Sequence, residues 1–204
     1  MSEAARIDPA AIAEEDRLRA ELYDFLAALL ARPPSQALLD QCARLSGDGS
    51  QLGQSVSVLA NLAGKTTQKK ATREFNDLFI GLGRGELLPY ASFYMTGFLH
   101  EKPLAVLRRD MAERQIERAP NVYEPEDNIA GLMEMMAGLI EGRFGAPASL
   151  GSQQTFFNRH IAPWAPHFFS DLEGAKTSVF YAPVGTVGRI FMGIEREAFR
   201  MGAG

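Results

Sequence analysis

Residues 124–140 read EPEDNIAGLMEMMAGLI, and this stretch decides the fold class. Ile129, Leu132, Met133, Met136 and Ile140 recur at three- and four-residue intervals, which stacks them on one face of a helix. Pro125 suits the first helical position, where its missing N–H would lack a partner in any case. Glu124, Glu126 and Asp127 suit a first turn beside the positive end of the helix dipole. The pattern predicts a helix opening at Pro125 with its acids in the first turn.

The same periodicity continues in both directions. Upstream, Leu18, Leu22, Phe25, Leu26 and Leu29 predict a helix from about Pro9 to Ala31, stopped by Pro33-Pro34. Ser35 is placed to cap a short helix through Leu45. Beyond the Ser46–Ser50 break, Leu52, Val56 and Leu59 mark another helix, and Lys65 to Lys70 reads as a solvated linker. Phe75, Leu78 and Phe79 turn inward from a helix that begins near Ala71 and ends in Gly81-Leu82-Gly83-Arg84-Gly85. Pro103 opens a helix that directs Leu104, Leu107 and Met111 to the core. Downstream, Phe157, Ile161, Trp164 and Phe168, interrupted by Pro163 and Pro166, predict two short helices with a bend. Tyr181, Val184, Val187, Phe191 and Ile194 predict a final one. No alternating run and no hairpin signal competes, so the fold class is all-α.

Composition narrows the function. A length of 204 residues with 46% apolar content fits one folded unit with a real core. A net charge of −4 speaks against nucleic acid, which needs a positive field along its phosphates. The single cysteine, Cys42, permits neither an internal disulfide nor a thiolate cage. The first residues carry no basic-then-apolar leader, and no uncharged apolar run nears the roughly 18 residues of a membrane span. A cytoplasmic protein without stable membrane insertion is expected, as monomer or homodimer.

Catalytic signals are weak. His100, His160 and His167 lack the spacing that lets two imidazoles share a metal from one helix. The Gly81–Gly85 loop has a helix before it and no Gly-Lys-Ser/Thr after it, so helix-stop glycine explains it better than a phosphate cradle. No cofactor, no metal and no catalysis are expected. The alternative is a small helical nucleotide-binding or hydrolytic enzyme using that loop and the Glu124–Asp127 acids.

Several segments, taken in order, carry a resemblance. Glu74-Phe75-Asn76-Asp77-Leu78-Phe79, Gly83-Arg84-Gly85, Leu88-Pro89-Tyr90-Ala91-Ser92 and Glu101-Lys102-Pro103-Leu104 resemble the central region of the TorD/DmsD family of redox-enzyme maturation chaperones. Glu124-Pro125-Glu126-Asp127-Asn128 is similar to that family's Glu-Pro-x-Asp-His signature, with Asn128 in place of the histidine. His160, Pro163-Trp164 and Phe180-Tyr181 followed by Glu195 resemble its C-terminal pattern, so the likeness runs from about Leu18 to Phe199.

The resemblance implies one all-helical domain over residues 1–204, of about eight to ten helices at ordinary helix lengths. Its parts are an N-terminal helical part over 9–64, a glycine- and proline-rich segment over 81–103 and a C-terminal helical part over 104–200. It implies a cytoplasmic chaperone for the apo-form of a molybdopterin oxidoreductase, of formate dehydrogenase or DMSO/TMAO reductase type. Such a chaperone binds the client's twin-arginine signal peptide, assists cofactor insertion and delays export. On that reading Asp127 receives a signal-peptide arginine bidentately. Glu124, Glu126 and Glu101 form a negative rim, and Pro125 and Asn128 complete the segment. Tyr90, Tyr94 and Met135 line an apolar trough.

Overall fold

A computed structural model describes residues 12–120 and 122–202. Among them run ten α-helices. The first five are α1 (Glu14–Leu30), α2 (Gln36–Cys42), α3 (Gln51–Lys65), α4 (Gln68–Phe75) and α5 (Ala91–Thr96). The rest are α6 (Lys102–Glu113), α7 (Ile129–Glu141), α8 (Leu150–Phe156), α9 (Ala165–Gly174) and α10 (Tyr181–Met201). α4 and α8 each pass into one π-type turn, over Asn76–Ile80 and Phe157–Ile161. The described residues contain no strand, only an isolated antiparallel bridge between Tyr90 and Asn128. The all-α expectation holds.

The core is assembled from both ends of the chain. α1 packs along α7, and α10 packs along α9 and α3. Tyr23, Leu26, Met133, Phe168, Tyr181 and Phe191 meet in one cluster from which water is excluded. The α9–α10 approach is close because Gly188 lies against the Phe169 ring, where a methyl group would collide. Helix starts follow local chemistry: the side chains of Ser35, Ser50, Thr67 and Ser149 each accept a backbone N–H of the turn they open. Glu74 does the same from a distance, accepting the N–H groups of Val179 and Tyr181 at 2.7 and 2.8 Å at the head of α10.

The expected start of the first helix near Pro9 lies outside the described residues. The structure departs from the sequence pattern in four places. Lys65–Lys70 is not a linker: α3 runs through Lys65, and only Thr66 and Thr67 separate it from α4. The short helix after Ser35 ends at Cys42, so Leu45 is 39% exposed. Leu18 and Ile194, both expected inside, are 55% and 46% exposed, while the next residues, Arg19 and Glu195, turn inward and pair. Finally, α7 opens at Ile129 and not at Pro125, with no acid in its first turn. Asn128 is its cap, in extended geometry, with Oδ1 accepting the Ala130 N–H at 2.9 Å. Pro125, Glu126 and Asp127 belong to the turn ahead of it.

Candidate functional site

That turn meets a second segment from the far side of α6. Ile129 N–H donates to the Pro89 carbonyl at 2.9 Å, and Ala91 N–H donates to the Asp127 carbonyl at 3.0 Å. The frame brings the Asp127 carboxylate onto the amino end of α5, where Oδ2 accepts the Ser92 N–H at 2.7 Å. Asp127 is 1% exposed, and its Oδ1 is buried without a hydrogen-bond partner. One expectation for it needs correction: it is not a dipole acid of α7, because it ties down α5 instead.

Asp127 lies on a cavity of about 310 Å³ between α5 and α6. Ala91, Leu107, Leu132 and His160 share its buried floor; Met95, Thr96, Lys102 and Arg159 stand exposed at its rim, with Pro103 and Val106 half-buried between them. Beside the floor sits a cluster of charges. Asp110 is 4% exposed and takes Arg159 Nη1 on both oxygens, at 3.1 and 3.0 Å. His160 Nε2 lies 2.7 Å from Asp110 Oδ2, a contact that requires the ring to donate. Burial opposes ionisation of Asp110, but the His160 hydrogen bond and the Arg159 guanidinium outweigh it and hold the carboxyl below its ordinary range. Burial, with Arg159 and Arg114 nearby, pulls His160 down and keeps it neutral despite Asp110.

The other expected site residues divide. Tyr90 and Glu124 are brought together, with the phenol donating to Glu124 Oε1. Burial and that carboxylate push the phenol's pKa up. Tyr94 donates to Asp171 Oδ2 at 2.9 Å and rests on Trp164, with ring centres 5.3 Å apart. Glu101 is exposed at the N-cap of α6. Glu126 is not a free member of a negative rim. Arg108 and Arg118 both engage it, at 2.9 and 2.6 Å. Burial works against its charge, and the two arginines prevail and lower its pKa. Met135 is not on a trough either: it is 8% exposed, packed into the core from α7, and takes no part in the cavity wall.

Sequence reasoning missed Asp110, Arg159 and the pairing role of His160. One signal was present. Asp110 stands on the apolar stripe of α6 with Leu104, Leu107 and Met111, a position where an acid requires a partner. The Gly81–Gly85 loop folds back on the helix it ends, with Leu87 N–H on the Leu78 carbonyl at 2.8 Å and Gly81 at φ +61. That is helix-stop geometry. Among the described residues, no helix is long and apolar enough to cross a membrane.

Comparison with known proteins gives one family match and three relatives. Residues 47–170 match the family described as nitrate reductase delta subunit. The chaperone protein TorD of Vibrio atlanticus is 27% identical over 190 residues, covering 83% of this chain and 88% of its own. TorD of Aliivibrio fischeri is 28% identical over 81% of this chain and 87% of its own, and TorD of Vibrio cholerae is 32% identical over 50% and 49%.

Proposed function

This chain belongs to the TorD/DmsD family, and on that premise we propose that it binds the twin-arginine signal peptide of an apo-molybdoenzyme, with Asp127 as the acceptor for an arginine. It is a chaperone of molybdoenzyme maturation and not an enzyme. In this proposal it acts in the cytoplasm and holds a client of formate dehydrogenase or DMSO/TMAO reductase type until its cofactor is inserted, and so delays export.

One observation carries this reading. Asp127 is a buried carboxylate with one oxygen unpartnered, next to a mainly apolar cavity. A buried carboxylate oxygen without a donor is costly, so it favours a cationic donor arriving on an apolar stem. The exposed apolar side chains nearby, Met95, Phe98 and Leu99, suit the hydrophobic region that follows the arginines in such a peptide.

Calorimetric titration of a synthetic signal peptide containing the arginine pair tests the proposal. Asp127→Asn keeps an acceptor for Ser92 N–H and removes the charge. We expect it to weaken binding by about 10- to 100-fold, the equivalent of one charged hydrogen bond. Equal affinity in the two proteins would sink the assignment of Asp127.

A further inference from the structure

We infer that the cationic face made by the end of α3 and by α4, with Lys65, Lys69, Lys70 and Arg73, docks an acidic segment of the client polypeptide. It lies outside the turn that holds Asp127 and takes a ligand of the opposite charge. It therefore stands or falls independently of the signal-peptide reading.

Charge segregation is the first argument. From Gly49 to Arg73 the sequence has these four cations and no aspartate or glutamate. The whole chain has 21 basic residues against 25 acidic ones, so without these four the remainder carries −8. The three lysines are exposed, and none enters an ion pair among the described residues. The Arg73 side chain, 87% exposed, comes only within 3.7 Å of Asp77. Other cations are held: Arg19, Arg108, Arg118 and Arg159 each meet a carboxylate at 3.0 Å or less. The acids beside the face have other tasks. Glu74 takes the Val179 and Tyr181 N–H groups. Asp40 takes the amide of Gln36, the α2 residue that also accepts the Gln68 N–H.

The arrangement also works against the helix that carries it. α4 opens behind its Thr67 cap, and its first turn holds Lys69 and Lys70 and no acid. Cations there meet the positive end of the helix dipole, where an acid is favoured. A merely solvated face needs no such placement. Ala71 and Phe75 are buried beneath, so the cations stand on the outer side of a helix anchored from within. The same residues narrow the partner. Residues 61–74 include no aromatic on which bases could stack, and the −8 of the remainder opposes a long polyanion such as nucleic acid. α4 exposes Gln68, Lys69, Lys70 and Arg73, and no apolar side chain to enter a bilayer. A short acidic stretch of polypeptide complements the face in sign and meets none of these objections. Lysine suits the task, because a point charge on a flexible stem follows carboxylates that have no fixed geometry.

Calorimetric titration of the full chain with decaglutamate tests this, at about 150 mM salt, where screening confines surface charges to ~8 Å. The parent should bind decaglutamate and not decaglutamine. The triple variant Lys65→Glu, Lys69→Glu, Lys70→Glu should lose about tenfold or more in affinity. A control triple at exposed cations elsewhere, Arg109→Glu, Lys176→Glu, Arg196→Glu, changes the net charge equally and should lose less than about threefold. The double Lys69→Glu, Lys70→Glu should melt no lower than the parent, since acids suit the first turn of α4. A clearly lower melting temperature would mean that the lysines serve the fold and not a partner. A parent that ignores decaglutamate, or equal losses in the two triples, would overturn the proposal. So would tighter binding to an oligonucleotide or to phosphatidylglycerol vesicles through the same lysines, which would give the face to another class of partner. Should the first triple not fold, the double decides by the same comparison. Asp127→Asn should bind decaglutamate as the parent does, so the two readings fail separately.

Discussion

Arg19 and Glu195 face each other across the α1–α10 contact through two parallel hydrogen bonds, 2.7 Å from Nε to Oε1 and 2.8 Å from Nη2 to Oε2. Tyr23 adds its hydroxyl to Oε2 at 3.0 Å, and Glu195 is 1% exposed. This pairing explains why Leu18 and Ile194 face water. At this end of the interface the two helices present the neighbouring charged residues to each other, and the hydrophobic stripe is displaced by one position on each.

Removing Arg19 leaves the Glu195 carboxylate buried without its cationic partner, whereas removing Glu195 leaves Arg19 still paired with Asp16 at 2.6 Å. Arg19→Ala should lower unfolding stability by about 3–5 kcal/mol in urea denaturation. The combined Arg19→Met, Glu195→Leu variant should recover most of the loss, because neither charge then remains to be desolvated. A double variant as unstable as the single one would show that packing, and not charge, dominates there.

The Asp110–Arg159–His160 cluster makes stability depend on pH. The native Asp110 pKa lies below its unfolded value, so its contribution is full above that unfolded value and is lost as pH falls through the native one. His160 is also depressed, so the unfolded chain takes up its proton first, from about pH 6.5 downward. Both act in one direction. Melting temperature should decline on acidification from neutrality, and His160→Gln should flatten the upper part of that decline. An unchanged slope in His160→Gln would show that His160 does not titrate differently on unfolding.

Much of the fold was legible because helical periodicity and caps are local signals: Ser35 and the Leu104–Leu107–Met111 stripe could be read within a few residues. The site was legible only through its resemblance to a family, and then in outline. Local rules placed Glu124, Glu126 and Asp127 in the first turn of a helix, whereas the cross-chain bonds of Asp127 to Ala91 and Ser92 move the helix start to Ile129. No periodicity announces that an aspartate will serve a backbone 35 positions away. Nor does any announce that Glu126 will be claimed by Arg108 and Arg118.

Asn128 has a local task that can be measured separately. Its Oδ1 caps α7, so Asn128→Ala should cost about 0.5–2 kcal/mol, while Asn128→Asp should cost little. Chemical denaturation of both variants checks this. Equal losses would mean that the cap contributes nothing and that the side chain matters for packing alone.

Ser92 offers a readout inside the site. If the arginine takes Oδ1 and leaves Oδ2 to α5, the Ser92 amide should exchange with solvent no faster in the peptide complex than in the free protein, as followed by hydrogen–deuterium exchange. Faster exchange on binding would mean that the ligand displaces α5 from Asp127.

Glu74 supports the head of α10 by accepting two backbone N–H groups. Glu74→Ala should destabilise the chain by about 1–2 kcal/mol, as the loss of a helix cap does, and leave peptide affinity unchanged. A large loss of affinity at constant stability would place Glu74 in the binding surface instead.

The cavity between α5 and α6 is lined by stretches near residues 91–96, 102–107, 127–132 and 159–160, so its parts emerge from the ribosome one after another. A nascent chain that has reached α7 owns Asp127 but not yet the wall that carries Arg159 and His160. The cavity is thus closed last on the side of residues 159–160, and the order of synthesis itself delays its completion until most of the chain has been made.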